Sequence, residues 1–397
     1  AGPRAIHTLV FGLVLVGIVG LGPTAGILAI ALHSMGTYGK LYAESIETLD
    51  MGAPLARTRG YKEWLSQLLQ FYASQTGLAG SVTGTPMSIA PNFMALKHQV
   101  PVGVVGGIIP WNGPLMGLWW IYGPALATGC TAVLKPAEDA SLSSLRVSEL
   151  MMEAGVPEGV INVVTGYGKD VGQALSEHMG VDRVAFTGSV GTAQAIVRAS
   201  AGNLKRLQLE LGGKSPDIVL ADADLDKAVP GAAMGVFSNT GQVCVAGTRI
   251  LVQRAIHDEF VQRLAAFAKT IKIGDGRESG VQIGPLISQR QLDRVMHYMD
   301  IFGPVASVIP FDTVEEALRI ANDTPYGLAG GVWTQNLGTA HKVSQGIRSG
   351  TVWVNCYGVI DPATGFGGTK MSGYGWKGGK EHVESFLYPK ATYFNLV

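Results

Sequence analysis

Short apolar segments alternate with segments of helical spacing from about residue 100 onward, and this alternation restricts the fold more than any other feature of the chain. The predicted strands and the helices that follow them are 102–109 and 114–128, 131–134 and 142–154, 161–164 and 170–178, and 184–186 and 192–201. A strand and a helix in turn form βαβ units, and such units build a parallel sheet covered by helices. A second α/β region follows from about residue 212.

The chain before these units has a different pattern. Residues 45–75 are predicted to form helices interrupted at Pro54 and Gly60. The segments 82–90 and 93–100 have β-type sequence, are separated by Pro91-Asn92, and predict a β-hairpin. A protruding hairpin presents an edge that a second subunit can extend.

The N-terminal region stands apart, since residues 5–39 contain no Asp, Glu, Lys or Arg. Residues 9–32 are almost wholly apolar and are long enough for a helix of the ~20 residues that cross a bilayer. We therefore expect an apolar N-terminal helix within 1–43, capable of membrane association through 8–32. A signal peptide and a buried soluble helix are the alternatives.

Part of this region carries a resemblance of its own. Residues 22–47, GPTAGILAIALHSMGTYGKLYAESIE, resemble part of a permease subunit of phosphonate-type ABC transporters. A single span cannot form a transport path, because such a permease needs several spans around a cavity. The favoured interpretation is therefore a fusion or a mis-assembled gene model.

Charge and cysteine content exclude several classes of function. Lys plus Arg and Asp plus Glu each number 30, without blocks of like charge, so we expect no nucleic-acid partner. The cysteines, Cys130, Cys244 and Cys356, are too few for a disulfide scaffold and indicate free thiols in a reducing compartment. The histidines show no HExxH pair and no cluster with cysteine at ligand spacing, so no metal site is expected.

A series of distinctive strings follows the predicted strands. They are PWNGP (110–114), KPAE (135–138), FTGS (186–189), LELGGKSP (209–216), GQVCVAGTR (241–249), IFGPV (301–305) and GFGGTKMSGYG (365–375). Together and in this order they resemble the aldehyde dehydrogenase superfamily over about 44–397. The resemblance implies an α/β fold with two parallel-sheet domains and a β oligomerisation arm, preceded here by the apolar N-terminal helix.

The resemblance also implies domain boundaries and an assembly. It places an NAD-binding domain at 44–211, with the hairpin 82–100 as an oligomerisation arm. A catalytic domain at 212–380 and a C-terminal oligomerisation strand at 381–397 follow. A homodimer or homotetramer is implied, located in the cytoplasm or associated with a membrane through the N-terminal segment.

Oxidation of an aldehyde through a thiol needs a thiolate to attack the carbonyl, donors for the new oxyanion and a base for thioester hydrolysis. Cys244 lies among glycine and small residues in GQVCVAG rather than in a periodic apolar stripe. The resemblance implies that Cys244 is the nucleophile, that the Asn112 amide and the Cys244 N–H bind the oxyanion, and that Glu210 activates water. The structural alternatives are a cap or turn residue for Asn112, a solvated strand-end carboxylate for Glu210 and a core thiol for Cys244.

The expected cofactor residues follow from strand ends, because ligands of an open parallel sheet bind beyond the carboxyl ends of its strands. From this rule and from the resemblance, the residues expected at the dinucleotide are Ile108, Ile109, Pro110, Trp111, Lys135, Glu138, Gly168, Phe186, Thr187, Gly188, Ser189, Thr192, Leu211, Gly212, Asp300 and Phe302. Glu138 can accept hydrogen bonds from ribose hydroxyls and would repel a 2′-phosphate. NAD is therefore favoured, with NADP as the alternative.

The chain departs from the family pattern at two places. The family's usual N-terminal portion is replaced by the apolar segment. The predicted helix 288–299 runs directly into IFGPV, where the family has a loop and strands, so we expect an internal deletion near 300/301. Asp300 stands where the family has a Glu that holds the nicotinamide ribose, whereas Phe302 is retained. If the family's strands at this place are missing, the strands that normally pair with them keep unpaired backbone groups, which is costly.

The sequence thus predicts an NAD(P)-dependent aldehyde dehydrogenase that forms a thiohemiacetal and then a thioester on a cysteine. Trp119, Trp120 and Tyr357 are candidate tunnel residues that would favour an apolar or aromatic aldehyde, with core packing as the alternative. The alternative functions are an inactive truncated or fused relic and a fragment of a membrane transport permease. An acylating enzyme that passes the thioester to coenzyme A is disfavoured by Glu210.

Overall fold

The computed structural model describes residues 48–76, 85–299 and 306–396. In chain order its strands are β1 Thr85–Ala90, β2 Phe93–Pro101, β3 Val104–Ile108, β4 Thr131–Lys135, β5 Ile161–Val163, β6 Arg183–Gly188, β7 Arg206–Leu211, β8 Pro216–Val219, β9 Arg249–Gln253, β10 Ser307–Phe311, β11 Tyr326–Gly327, β12 Ala329–Trp333, β13 Thr351–Val354, β14 Thr369–Lys370, β15 Gly373–Tyr374 and β16 Leu387–Asn395. Its helices are α1 Leu55–Ser74, α2 Pro114–Thr128, α3 Leu142–Glu153, α4 Gln173–Glu177, α5 Val190–Ser200, α6 Leu225–Phe237, α7 His257–Ala268, α8 Gln289–Met299, α9 Val314–Asn322, α10 Leu337–Gly346 and α11 Gly379–Glu384. A π-helical turn, Gly168–Gly172, leads into α4, and a 3₁₀ turn, Ser238–Gly241, follows α6.

The first large sheet has its strands in the order β15-β7-β6-β3-β4-β5. The strands from β7 to β5 run parallel, whereas β15 is antiparallel to β7. Parallel neighbours need crossover connections, and α2, α3 and α5 provide them between β3 and β4, β4 and β5, and β6 and β7. The predicted βαβ units are therefore confirmed, and the carboxyl ends of β6, β3 and β4 meet at one edge.

The second large sheet has the strand order β10-β9-β8-β12-β13, and all its pairings are parallel. This sheet belongs to the second α/β region, which was predicted after residue 212. The chain then returns to the first sheet, because β15 lies beside β7. Residues on either side of β15 are thereby carried next to the carboxyl end of β7.

The predicted hairpin forms a separate antiparallel sheet with the order β1-β2-β16. β16 pairs with β2 along its whole length, from Leu387 opposite Pro101 to Asn395 opposite Phe93. The hairpin and the C-terminal strand are confirmed as strands, although 82–84 lie outside the described residues. The strand expected at 381–397 begins later than predicted, because α11 occupies the residues before it.

Helix α2 lies under the first sheet and has the predicted bounds. It begins with Pro114 at its first turn and ends before Gly129, whose φ of 79° is left-handed, so both ends follow known rules for helix termini. Its residues are apolar on every side, and Leu118 and Tyr122 are fully buried. A Cβ at Gly123 would lie 2.2 Å from a ring atom of Tyr72, so a glycine is required where α1 crosses α2.

The predicted helix interruption at Gly60 is wrong. Helix α1 runs unbroken through Gly60, while Pro54 directly precedes the helix with an extended ψ of 135°. A glycine inside a helix costs only ~1 kcal/mol. Burial of Leu68 and Tyr72 on one face of α1 contributes more than this cost, at about 1.5–3 kcal/mol for each large side chain.

The expected apolar helix at 8–32 and the permease-like segment at 22–47 lie outside the described residues. Among the residues that the structure does describe, none of the helices combines the length and the apolar character that a membrane crossing requires. The expectation of membrane association through 8–32 therefore gains no support from the α/β part of the chain.

Asp217 in β8 is an unusual core residue because it is a fully buried carboxyl group. Its Oδ1 accepts a hydrogen bond of 2.8 Å from the Trp333 indole, while Oδ2 has no hydrogen-bond partner. Burial raises the pKa of Asp217 to about 7, although the Trp333 N–H opposes the shift. The folded protein therefore keeps a proton on Asp217 that the unfolded chain loses near pH 4.

We predict that the free energy of unfolding decreases as the pH rises from about 4 to above 7, because ionisation of Asp217 is penalised only in the folded state. The loss is at most roughly 4 kcal/mol. Asp217→Asn should remove this contribution, and Asp258→Asn, at a side chain that is 94% exposed, should not. Urea denaturation at several pH values measures both, and an Asp217→Asn variant with the wild-type pH dependence would contradict the prediction.

Candidate active site

Cys244 lies in the loop between the 3₁₀ turn and β9, and it is half-buried. Its carbonyl oxygen accepts a hydrogen bond of 3.1 Å from the backbone N–H of Gly213. A Cβ at Gly213 would lie 2.9 Å from the Cβ of Leu328 and 3.2 Å from the Cys244 carbonyl oxygen. The glycine therefore permits the segment after β7 to lie directly against the cysteine loop.

The turn before Cys244 has a strained backbone, since Asn239 and Thr240 have φ values of 53° and 59°. Left-handed conformations are costly for residues other than glycine unless the surroundings hold them. The Asn239 amide donates to the carbonyl oxygens of Asn112, at 3.2 Å, and Gln242, at 3.1 Å. The Thr240 hydroxyl donates to the Gly284 carbonyl at 2.9 Å. These bonds fix the course of the cysteine loop.

Asn112 follows β3 and is joined to the same loop. Its amide nitrogen donates to the carbonyl oxygen of Gln242 at 2.8 Å. The interpretation of Asn112 as a helix cap is wrong, because Gly113 occupies the N-cap of α2 and no side chain caps that end. The bond to Gln242 uses one of the two N–H donors of the amide, and the second remains for another acceptor.

Glu210 lies in β7 and is 2% exposed. It is opposite Gly373 of β15 on one side and Thr187 of β6 on the other. Its Oε2 is 3.1 Å from the ammonium nitrogen of Lys377. The interpretation of Glu210 as a solvated strand-end carboxylate is therefore wrong. Burial raises the pKa of Glu210, and Lys377 opposes this effect without cancelling it.

Lys377 is a site residue that the sequence analysis did not identify. Its ammonium nitrogen lies 2.5 Å from the hydroxyl oxygen of Thr187 and 4.3 Å from the centre of the Trp120 ring. Sequence pattern offers no signal for it, because it follows the last matched string in a glycine-rich stretch. Its position beside Glu210 results from the pairing of β15 with β7.

The thiol of Cys244 is held in its protonated form. Burial raises its pKa to about 12, the charge of Glu210 raises it further, and Lys377 lowers it. The positive charge of Lys377 therefore does not outweigh the effect of burial on the Cys244 pKa. A reaction that uses the thiolate must release the thiol proton against the effects of burial and of the Glu210 charge.

Aromatic side chains surround this region. Trp120 makes an edge contact with Trp64 and stacks on Phe366, each at 6.1 Å between ring centres. The Tyr357 hydroxyl donates to the Val245 carbonyl at 2.8 Å. Cys244, Cys356 and Tyr357 all pack against one apolar cluster that also contains Trp119 and Trp120. These aromatic residues therefore belong to the same core cluster that Cys244 packs against.

The expected cofactor residues on β3, β4 and β6 lie side by side. Ile108 is opposite Lys135 on one side and Phe186 on the other, and the Ile109 N–H donates to the Lys135 carbonyl at 3.1 Å. Pro110 and Trp111 continue from β3 into the turn before α2. These strand ends form the edge at which the open-sheet rule places a ligand.

Lys135 and Glu138 form a polar group at this edge. The Lys135 ammonium is 3.6 Å from Glu138 and donates to the Pro136 carbonyl at 2.7 Å, and burial lowers the pKa of Lys135. Glu138 also accepts a hydrogen bond of 2.6 Å from the Gly168 N–H. Burial alone would raise the pKa of Glu138, but backbone hydrogen bonds and Lys135 together lower it. Glu138 is therefore an ionised acceptor.

The other expected cofactor residues have identifiable contacts. Ser189 is the N-cap of α5, where its hydroxyl accepts the Thr192 N–H at 3.2 Å. Gly188 is opposite Leu211 in the sheet. The Gly212 carbonyl accepts a hydrogen bond of 2.8 Å from the Ser372 hydroxyl. Asp300 and Phe302 lie outside the described residues, so their expected positions stay predictions.

Comparison with known proteins relates the whole described chain to one family. The family model described as "Aldehyde dehydrogenase family" matches residues 40–301 and 299–392. An aldehyde dehydrogenase of Aspergillus niger is 40% identical in an alignment 394 residues long that covers 89% of this chain and 79% of the relative. Aldehyde dehydrogenase 1 of Tanacetum cinerariifolium is 40% identical in an alignment 391 residues long that covers 88% of this chain and 78% of the relative. These relatives do not support the permease resemblance.

Solved structures of the same kind superimpose closely. PnpE from Pseudomonas sp. WBC-3 has a TM-score of 0.89 and 37% identity, covering 99% of this chain and 89% of its own. The same values hold for PnpE in complex with nicotinamide adenine dinucleotide. A betaine aldehyde dehydrogenase of Staphylococcus aureus in complex with NAD⁺ has a TM-score of 0.89 and 34% identity, with 99% and 87% of the chains covered.

The electrostatics of the cysteine can be tested without any substrate. We predict that Glu210→Gln increases the alkylation rate of Cys244 by iodoacetamide several-fold at pH 8, because the negative charge that raises the pKa of the thiol is removed. Glu177→Gln, at an exposed position on α4, is the control. Peptide mass spectrometry measures modification at Cys244, and an unchanged or slower rate in Glu210→Gln would contradict the prediction.

Proposed function

Since this chain belongs to the aldehyde dehydrogenase family and oxidises aldehydes with NAD, we propose that Cys244, Asn112 and Glu210 carry out the reaction. One observation supports this proposal above all. Asn112 and Gly213 both bind the cysteine loop, through the hydrogen bonds of Asn112 to Gln242 and of Gly213 to Cys244, and Glu210 lies three residues before Gly213. These contacts support a site that combines a nucleophile, an amide donor and a buried carboxylate.

In the first step the Cys244 sulfur attacks the carbonyl carbon of the aldehyde and forms a thiohemiacetal. The thiol proton leaves to solvent as the carbon–sulfur bond forms, so that the sulfur attacks as a thiolate. The carbonyl oxygen becomes an oxyanion that the second N–H of Asn112 and the backbone N–H of Cys244 stabilise. One such donor typically lowers the barrier of the reaction by about 3–4 kcal/mol.

The strand-end residues are suited to hold NAD. Glu138 is ionised and about one-third exposed, so its carboxylate can accept hydrogen bonds from ribose hydroxyls. The N-terminus of α5 lies at the same edge and is suited to a pyrophosphate. Bound NAD supplies the hydride acceptor of the reaction. The carboxylate at Glu138 also disfavours the 2′-phosphate of NADP.

After hydride transfer the acyl group remains on Cys244 as a thioester. Glu210 then takes a proton from a water molecule, whose oxygen attacks the thioester carbon. The carbon–sulfur bond breaks, the carboxylic acid leaves and the Cys244 sulfur is released. A buried carboxylate next to the thioester is what hydrolysis requires, so we propose hydrolysis rather than transfer to coenzyme A.

We also propose the domain organisation and assembly that the resemblance implies. The NAD-binding domain comprises 44–211 with its arm at 82–100, the catalytic domain 212–380, and the C-terminal strand lies within 381–397. The exposed strand β1 at the edge of the arm supports a homodimer or homotetramer.

The two matched stretches that meet at 299–301 support an internal deletion at 300/301.

Apolar and aromatic aldehydes with NAD test the proposed function by the appearance of NADH. We expect Cys244→Ala to abolish NADH formation and Asn112→Ala to lower kcat/KM by roughly 10²–10³, the effect of one lost oxyanion donor. Cys130→Ala is the control, because the Cys130 thiol donates to the Phe386 carbonyl and has no role in the proposed reaction. Full activity in a folded Cys244→Ala variant would refute the proposal, and no NADH from the wild-type chain would favour the inactive relic.

A further inference from the structure

Lys377 is a buried cation that takes no part in the reaction steps proposed for Cys244, Asn112 and Glu210. Its side chain is 4% exposed, and that of its partner Glu210 is 2% exposed. A charge removed from water to this degree is costly unless a partner compensates it. A lysine at this position therefore needs a reason beyond surface solubility.

The backbone of Lys377 is fixed from both sides. Its N–H donates to the Phe366 carbonyl and its carbonyl accepts the Phe366 N–H, each at 2.7 Å. The ammonium group then contacts Glu210 at 3.1 Å, the Thr187 hydroxyl at 2.5 Å and the face of Trp120 at 4.3 Å. Three partners from three different elements define one position of the ammonium nitrogen.

A second ion pair on the same segment provides a direct comparison. Lys380 and Glu384 of α11 are also 3.1 Å apart, but their side chains are 60% and 45% exposed. An exposed pair contributes little to stability, whereas loss of one partner of a buried pair leaves an uncompensated charge. The ion pair of Lys377 therefore differs from that of Lys380 in its burial and not in the distance between the charged atoms.

We propose that Lys377 is a positioning residue that keeps Glu210 ionised and aimed for proton transfer during thioester hydrolysis. This inference rests on the proposed function, in which Glu210 is the base. A buried carboxyl without a cation beside it holds its proton and cannot accept one from water. Lys377 opposes the effect of burial and fixes which carboxylate oxygen faces the ammonium group, leaving Oε1 for the water.

Ionisable groups on the elements around β7 and beside Lys377 do not take over this role. They include Cys244, His382, Arg183, Tyr374 and Arg198. Burial, Arg183 and Lys377 all lower the pKa of His382, so its ring is neutral. Arg183 is bonded to Gln208 and Ser385, and Arg198 is exposed on α5. Within the described part of the chain, Lys377 is the cation that forms an ion pair with the Glu210 carboxylate.

The contact with Thr187 connects this pair to the cofactor edge. Thr187 lies opposite Glu210 in the neighbouring strand and belongs to the string FTGS. The Lys377 ammonium thus bridges the carboxylate on β7 and the hydroxyl on β6. The Trp120 ring compensates part of the desolvation of the ammonium group, because an aromatic face attracts a cation.

The experiment compares Lys377→Met with Lys380→Met in the full chain. The pH dependence of kcat is measured with an aldehyde whose turnover is limited by hydrolysis, shown by a burst of NADH. In Lys377→Met we expect the acidic limb of the profile to shift upward by at least about one pH unit. The kcat at neutral pH should fall about tenfold with little change in KM, and the NADH burst should remain. Lys380→Met should match the wild type, and Lys377→Arg should restore most of the profile.

A second readout does not depend on turnover or on bound cofactor. Infrared difference spectra over a pH series report the protonated Glu210 carboxyl through the C=O band that Glu210→Gln lacks. In Lys377→Met this band should persist to higher pH than in the wild type. Should Lys377→Met fail to fold, Lys377→Gln, which retains hydrogen-bonding capacity without charge, is measured in the same way with the same expected shifts.

The outcomes separate this inference from the proposed function. An unchanged pH profile and an unchanged infrared titration in the Lys377 variants, with hydrolysis lost in Glu210→Gln, would overturn the role of Lys377 and leave the mechanism standing. Wild-type turnover in Glu210→Gln would instead refute Glu210 as the base, and the inference would fall with it. A tenfold loss of kcat without any shift in either titration would indicate a merely structural role and would also overturn the inference.

Discussion

The buried ion pair between Glu210 and Lys377 is the contact on which the arrangement of the site depends. It joins the middle of the chain to its last quarter, because β15 returns to pair with β7 and carries Lys377 past Glu210. Without this return the carboxylate would end a strand at the open edge of the sheet. With it, the carboxylate is covered, its basicity is raised by burial, and its charge is balanced by an ammonium group that also touches the cofactor edge.

The chemistry of the site follows from a conflict between burial and charge. In the proposed mechanism Cys244 becomes an anion, yet its surroundings favour the protonated thiol, and the neighbouring carboxylate favours it further. The conflict ends once the carbon–sulfur bond forms, because the negative charge then lies on the carbonyl oxygen. The proposed donor to that oxygen is the amide of Asn112, which is tied to the cysteine loop through Gln242.

Local signals in the sequence were sufficient for much of the fold. Helix α2 was predicted with its final bounds because a proline and a glycine delimit a continuous apolar segment, and the βαβ units followed from alternation. Gly60 misled the prediction, since burial of Leu68 and Tyr72 outweighs the cost of one glycine. Asn112, Glu210 and Cys244 were proposed as site residues from their strings. Lys377 was not, because its role arises from a strand pairing between segments more than 160 residues apart, which no local pattern encodes.

The central claim is that the cysteine, the amide and the carboxylate serve one reacting carbon, and intact-protein mass spectrometry of Glu210→Gln tests it most directly. After mixing with an aldehyde and NAD, the account predicts one NADH per site and a chain heavier by one acyl group, located on Cys244. The adduct should persist because the base for its hydrolysis is absent. A Glu210→Gln variant that turns over at the wild-type rate, or that carries the acyl group elsewhere, would contradict the account.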